Sequence, residues 1–321
     1  MRKFSDYTQS LCVCNNIEDS QSCLDLFAGF MWKVIETDVQ TSVITKIEHE
    51  AKLMLQMMFT KVLHLKGILN GVSYSSNSGS YLNNIIDPGV VAVMSRNIFE
   101  TGGLFNLIYR QPKTDNERDI IYNLWRHAGL RTRQRFKESF EATKKGSVLE
   151  EERQDMELIT ESVKTNSFFL GLDEHIKKKI LDRLDKGEFL IKFIDKKVKC
   201  YKWHELVEVM NLKKDLFDYL YSYFSLYTHP SNVSVFQFDD LFKDADDNYL
   251  IMTNFNIKTI LSFIGVFIAD YINFFPYVAK VFKNLSLEEQ SIIDFHNMLG
   301  RNESFSIVKA IEKKGVTNLD N

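Results

Sequence analysis

Residues 42–69, SVITKIEHEAKLMLQMMFTKVLHLKGIL, decide the fold class. Ile47, Ala51, Met54, Leu55, Met58, Val62 and Leu65 recur in steps of a helical turn, so they fall on one stripe of an α-helix. No proline interrupts the run. Its glycine, Gly67, stands near the end, where a helix tolerates it best. The preceding stretch 18–36, EDSQSCLDLFAGFMWKVIE, repeats the pattern through Leu24, Phe27, Met31 and Ile35, and Ser20 or Ser22 is expected to cap its start.

The whole chain extends this argument. Its 321 residues include 14 Gly and 4 Pro. Average usage would supply roughly 22 and 16. Scarce helix breakers mean few tight turns, which excludes a turn-rich sandwich or barrel and predicts an all-α fold of antiparallel helices. A hydrophobic share of 45% excludes intrinsic disorder, and a net charge of −3 provides no global pull toward nucleic acid or anionic lipid.

Further helices are expected over 90–110, 116–142, 150–168, 173–185, 203–210, 213–228, 254–274 and 287–299. The stretch 188–202, EFLIKFIDKKVKCYK, alternates and is read as a small hairpin. Residues 71–89, GVSYSSNSGSYLNNIIDPG, read as a long functional or mobile loop. The implied organisation is an N-terminal helical hairpin over 1–75 packed on the rest, a main helical domain over 85–300 and a flexible tail over 301–321.

The N-terminus, MRKFSDYTQSLCVCNN, lacks the apolar core of a secretory signal. Cys12, Cys14, Cys23 and Cys200 form no CxxC pair and have no His at zinc-finger spacing. They read as free thiols in a reducing cytoplasm, with a metal or redox role for Cys12, Cys14 and Cys23 as the alternative. Ile257–Phe282 is the one stretch resembling a membrane span. Its unbroken apolar part, Ile260–Ala269, is about half the ~20 residues needed. Asp270 and Asn273 follow, so a buried core helix is expected and no membrane contact.

Several chemistries fail a residue check. The run from Asp244 resembles an EF-hand loop, but has Tyr249 where the turn needs Gly and Phe255 where calcium needs Glu. P-loop, GxGxxG, HExxH and GxSxG patterns are absent, and no His has an acidic residue three positions earlier. No cofactor and no metal are therefore expected.

Two places concentrate chemistry. In 201–235, YKWHELVEVMNLKKDLFDYLYSYFSLYTHPSNVSV, residues Tyr221, Ser225 and His229 recur one turn apart and are expected on one helix face. Pro230 should end that helix near His229, and Ser231 follows. In helix 90–110, Arg96 and Glu100 stand one turn apart among apolar neighbours, as a partly buried pair. The basic stretch 116–142 adds Arg131 and Arg135 on one face. It is either a track for a phosphate backbone or a solvated face mixed with Glu117, Asp119, Glu138 and Glu141.

These residues resemble an uncharacterised bacterial family of all-helical proteins, described only as a domain of unknown function. Its signatures are Arg-x-x-x-Glu (here Arg96 and Glu100), Trp-x-x-Leu (Trp203 and Leu206) and Tyr-x-x-x-Ser-x-x-x-His-Pro-Ser (Tyr221, Ser225, His229, Pro230 and Ser231). The likeness covers roughly residues 85–275. That family is loosely similar to the HEPN group of helical bundles, which includes metal-independent ribonucleases and toxin or phage-defence components. HEPN nucleases place an Arg a few residues before the His on one helix. Here Arg96 would supply the cation from another helix.

Two functions are weighed, the first implied by the HEPN likeness and the second read from the residues themselves. In a ribonuclease, His229 would act as general acid and base, Arg96 would stabilise phosphate charge and Glu100 would orient Arg96. Tyr221, Ser225 and Ser231, with Arg131 and Arg135, would hold the RNA. In a non-catalytic binding or regulatory module, the Arg, Glu, Tyr, Ser and His side chains form a structural polar network, and the partner is a protein or RNA. Met54, Met57 and Met58 suggest an adaptable apolar surface for a homodimer.

Overall fold

The computed structural model describes residues 5–39, 45–136, 146–229, 231–243 and 248–317. The elements run as follows: α1 (Asp6–Val13), α2 (Ile17–Val39), α3 (Lys46–Leu69), β1 (Val72–Ser75), β2 (Tyr81–Ile85) and α4 (Pro88–Phe105), then a π-helical turn over Asn106–Arg110. Next come α5 (Asp115–Gln134), α6 (Gly146–Thr165), α7 (Glu174–Lys186), β3 (Ile191–Ile194) and β4 (Lys197–Cys200). The chain closes with α8 (Leu220–Thr228), α9 (Asn232–Lys243), α10 (Asn248–Phe274), α11 (Val278–Lys283), α12 (Leu287–Gly300) and α13 (Ile307–Thr317). Single helical turns fill Ser167–Leu170, Leu206–Val209 and Lys214–Phe217. The architecture is an all-α multi-helix fold with two small hairpins.

Local chemistry sets the helix starts. Thr45 and Glu48 form a reciprocal capping box at α3. At α2 the Asn16 side chain accepts from the Asp19 N–H at 2.7 Å, so Asn16 does the capping expected of Ser20 or Ser22. Ser20 is buried instead, its Oγ donating to Asn254 Oδ1 at 2.8 Å.

The chain divides into two compact units that do not follow the expected boundaries. Met1–Phe105 and Val207–Asn321 make one, and Asn106–Leu206 makes the other. The first unit is organised round α10, which packs against α2, α4 and α12. Ile257, Ile260, Leu261, Ile264 and Val266 are fully buried, and Phe263 and Phe267 stack on Phe99 and Phe105 at 5.2 and 5.0 Å between ring centres. Each such side chain removed from water contributes about 1.5–3 kcal/mol. By length and composition α10 is able to cross a membrane, yet 78% of its apolar window is buried within the structure, as a core helix requires. The α3 stripe packs as read, with Ala51, Met54, Leu55, Met58, Val62 and Leu65 buried and Ile47 half-buried. Met54 and Met58 thus belong to the core, leaving Met57 on the surface.

In the second unit, α5 packs on α6 and α7. The hairpin expected within 188–202 is β3–β4, antiparallel with Ile191 opposite Cys200. Asp195 and Lys196, at φ 47° and 62°, make its two-residue turn, whose twist requires left-handed backbone.

Four further readings are revised. The 71–89 loop contains β1–β2, an exposed hairpin whose turn has Gly79 at φ +85°. The expected helix 213–228 breaks at Asp218–Tyr219. The basic helix ends at Gln134, and Lys137, Glu138 and Glu141 lie outside the described residues, as do Pro230 and Asp244–Asp247. The expected tail is ordered through Thr317. Asp294 accepts from Ser306 Oγ at 2.5 Å and from the Ile307 N–H at 2.6 Å, anchoring the start of α13.

Candidate functional site

In the first unit, α4 packs against α8. Arg96 and Glu100 on α4 meet Tyr221 and Ser225 on α8. Arg96 Nε donates to Glu100 Oε1 at 2.9 Å, one terminal nitrogen donates to Tyr221 Oη at 2.6 Å, and the other reaches Ser225 Oγ at 3.4 Å. The guanidinium also lies 4.6 Å from the Tyr221 ring centre. Ser225 Oγ donates its own proton to the Tyr221 carbonyl at 2.7 Å, leaving its lone pairs to accept. Burial, then the Glu100 charge, raises the Tyr221 phenol pKa, so the phenol stays protonated at neutral pH.

His229 does not join this network. It is exposed, and among the described residues its imidazole makes no hydrogen bond or ion pair. The reason is local. The α-helix ends at Thr228, and His229 is extended, with φ −117° and ψ 123°. A residue before proline is pushed out of the α region, so His229 leaves the face it would occupy in a continuous helix. Ser231 caps α9: its Oγ accepts from the Ser234 N–H at 3.0 Å.

Arg131 and Arg135 belong to the second unit, on and just beyond α5. Arg131 borders a cavity of about 560 Å³ with His127, Arg153, Met156, Thr160 and Lys164, and with the acidic Glu157, Glu161 and Asp185. Arg135 is exposed. Much of the basic charge nearby is balanced: Arg133 pairs with Glu152 at 2.7 Å, Arg126 approaches Asp155 at 3.9 Å and Arg118 pairs with Asp115 at 2.5 Å. These partners are not the ones the sequence named: Glu117 is buried, and Glu138 and Glu141 lie outside the described residues.

A second constellation lies near the start of α2. Cys14, Cys23 and His296 are all buried, and their donor atoms lie within 4.8 Å of one another. A hydrogen bond from Cys23 pulls the Cys14 thiol pKa down to about 5, while burial pushes that of Cys23 well above the ordinary thiol range. Sequence spacing grouped Cys12 with these cysteines. The fold leaves Cys12 outside and brings in His296 from α12. A histidine 273 positions from Cys23 carries no spacing signal. A cavity of about 640 Å³ opens nearby, bordered by Asn15, Asn16 and Asn254.

Comparison of this chain with protein-family models, curated proteins and solved structures gives no match.

Proposed function

We propose that this chain is a non-catalytic binding or regulatory module, in which Arg96, Glu100, Tyr221 and Ser225 lock α4 to α8. One observation carries this reading: each of the three Arg96 guanidinium nitrogens is already engaged within the protein, so no edge of the fork is wholly free for a phosphate. The three nitrogens donate to Glu100, Tyr221 and Ser225, and the Tyr221 ring lies against the guanidinium. An arginine that stabilises a reacting phosphate has to aim free N–H groups at it. His229, the proposed acid and base, makes no contact with this cation among the described residues.

Binding would then use the surface. The β1–β2 hairpin exposes Val72, Tyr74, Tyr81 and Leu82, and α9 exposes Val235, Phe236 and Phe238. Apolar and aromatic side chains left in water in this number suit a protein partner. Four cysteines without disulfides support a reducing compartment such as the cytoplasm.

The deciding experiment incubates the full chain with a mixed pool of labelled RNAs in EDTA, beside His229→Ala and Arg96→Ala. The module reading expects intact RNA throughout, a clear drop in melting temperature for Arg96→Ala and almost none for His229→Ala. Cleavage by the wild type, lost in folded His229→Ala, would replace it with the HEPN-like metal-independent nuclease.

A further inference from the structure

The buried Cys14, Cys23 and His296 cluster belongs to neither reading of the Arg96 network, and its geometry asks for a ligand. Cys23 Sγ lies 3.4 Å from His296 Nε2. The Leu11 carbonyl oxygen lies 2.9 Å from the same Nε2 and 3.0 Å from Cys14 Sγ. Two sulfurs, one nitrogen and one carbonyl oxygen therefore lie close together.

A tetrahedral zinc ion with ordinary Zn–S, Zn–N and Zn–O bonds holds its donors about 3.4–3.8 Å apart. The Cys23–His296 spacing of 3.4 Å approaches such an edge, the other side-chain spacings are no longer than 4.8 Å, and the two carbonyl edges have to open by about half an ångström. The donor set is also right. Thiolate and imidazole select zinc over hard cations such as magnesium or calcium.

The surroundings agree. Cys14 stands at φ 51° and ψ 61°, a left-handed conformation that a non-glycine residue seldom adopts, and this turn at the end of α1 directs its sulfur inward. Asn254 Nδ2 donates to the Cys14 carbonyl at 2.9 Å, holding that turn in place. The His296 ring is fixed by edge-on packing against Phe27 at 5.7 Å between centres. Asn254 and the residues after Cys14 also border the nearby cavity.

We propose that Cys14, Cys23 and His296, with the Leu11 carbonyl, form a structural zinc site that ties α1 and α2 to α12. Three side chains hold the ion, and the Leu11 carbonyl stands nearest the fourth position.

The proposal is tested on the full chain, purified under reducing conditions without chelator. Elemental analysis should find about one zinc per chain. Cys14→Ser and Cys23→Ser should each lower zinc at least tenfold, while Cys12→Ser and Cys200→Ser should leave it unchanged. A cobalt titration of the chelated, reduced wild type decides the matter without relying on variants. One equivalent should produce the thiolate charge-transfer and d–d absorption of a tetrahedral centre. No cobalt absorption from a chain with four free thiols overturns the site. So does zinc that survives both cysteine substitutions.

Discussion

Arg301 donates to Asp270 at 2.6 Å, and both side chains are 2% exposed. This pair explains how a carboxylate sits in the most apolar helix of the chain. Asp270 belongs to α10 and is matched by a cation just beyond α12, whose Nε also donates to the Met210 carbonyl at 2.7 Å. Removing one partner of such a pair leaves a charge stranded out of water. Arg301→Ala should therefore destabilise the protein by about 3–5 kcal/mol, read from the urea midpoint. Replacing both, as Asp270→Leu with Arg301→Met, should recover much of that loss.

The α4–α8 network predicts a graded series. Tyr221→Phe removes a hydrogen bond to a charged group and should cost about 1–2 kcal/mol in thermal unfolding, since hydrogen bonds to ions contribute roughly 1.5–3 kcal/mol when well shielded. Arg96 and Glu100 keep 19% and 24% of their side-chain exposure, which places the effect toward the lower end. His229→Ala should stay within about 0.5 kcal/mol, as for other exposed positions. A large cost there would contradict the exposed placement of His229.

Close helix packing yields a pair of opposite outcomes. A β-carbon at Gly265 would sit 2.8 Å from Asn297 N and 3.0 Å from the His296 carbonyl carbon. Gly265→Ala should force α10 and α12 apart and cost about 1–3 kcal/mol. Gly29 lies in α2 with nothing within 4 Å of the added carbon. Gly29→Ala should raise stability by about 0.4–1 kcal/mol by restricting the unfolded chain. Calorimetry of the two variants checks both signs.

His127 predicts part of the acid sensitivity. Burial, then the Arg131 charge, holds its pKa below the ordinary 6.5. The unfolded chain therefore takes up a proton that the folded chain resists. This contribution to stability is complete above pH 6.5 and is lost as pH falls through the lower folded value. Melting curves across that window should show a slope that His127→Gln reduces. Equal slopes would assign the acid sensitivity to other groups.

The helices were legible where their apolar spacing was regular. The stripe of α3 and the apolar run of α10 both read directly, because burial and helical period produce the same pattern. The β1–β2 hairpin was not legible, since Ser and Asn dominate it and it has no buried face. Arg96, Glu100, Tyr221 and Ser225 were found because one-turn spacing puts each pair on a common face. His229 was misplaced by extending that spacing one residue past the helix end. Lys52 and Asp38, a buried pair at 3.7 Å, and Asp270 with Arg301 were invisible as pairs. The first needs α2 and α3 folded together, and the second joins helices distant in the chain. The Cys14, Cys23 and His296 cluster was hidden for the same reason.

The first unit is built from both ends of the chain, with the second unit inserted between Phe105 and Val207. During synthesis, α2, α3 and α4 therefore leave the ribosome long before α10, the helix that covers them. Roughly 140 residues separate the end of α4 from the start of α10, which corresponds to roughly 7 to 28 s of translation at ordinary rates. Throughout that interval Phe99, Phe105 and Ile98 have no native partner on α10. A nascent chain in that state exposes a sticky surface, favours chaperone capture and completes its core only once α10 has been made.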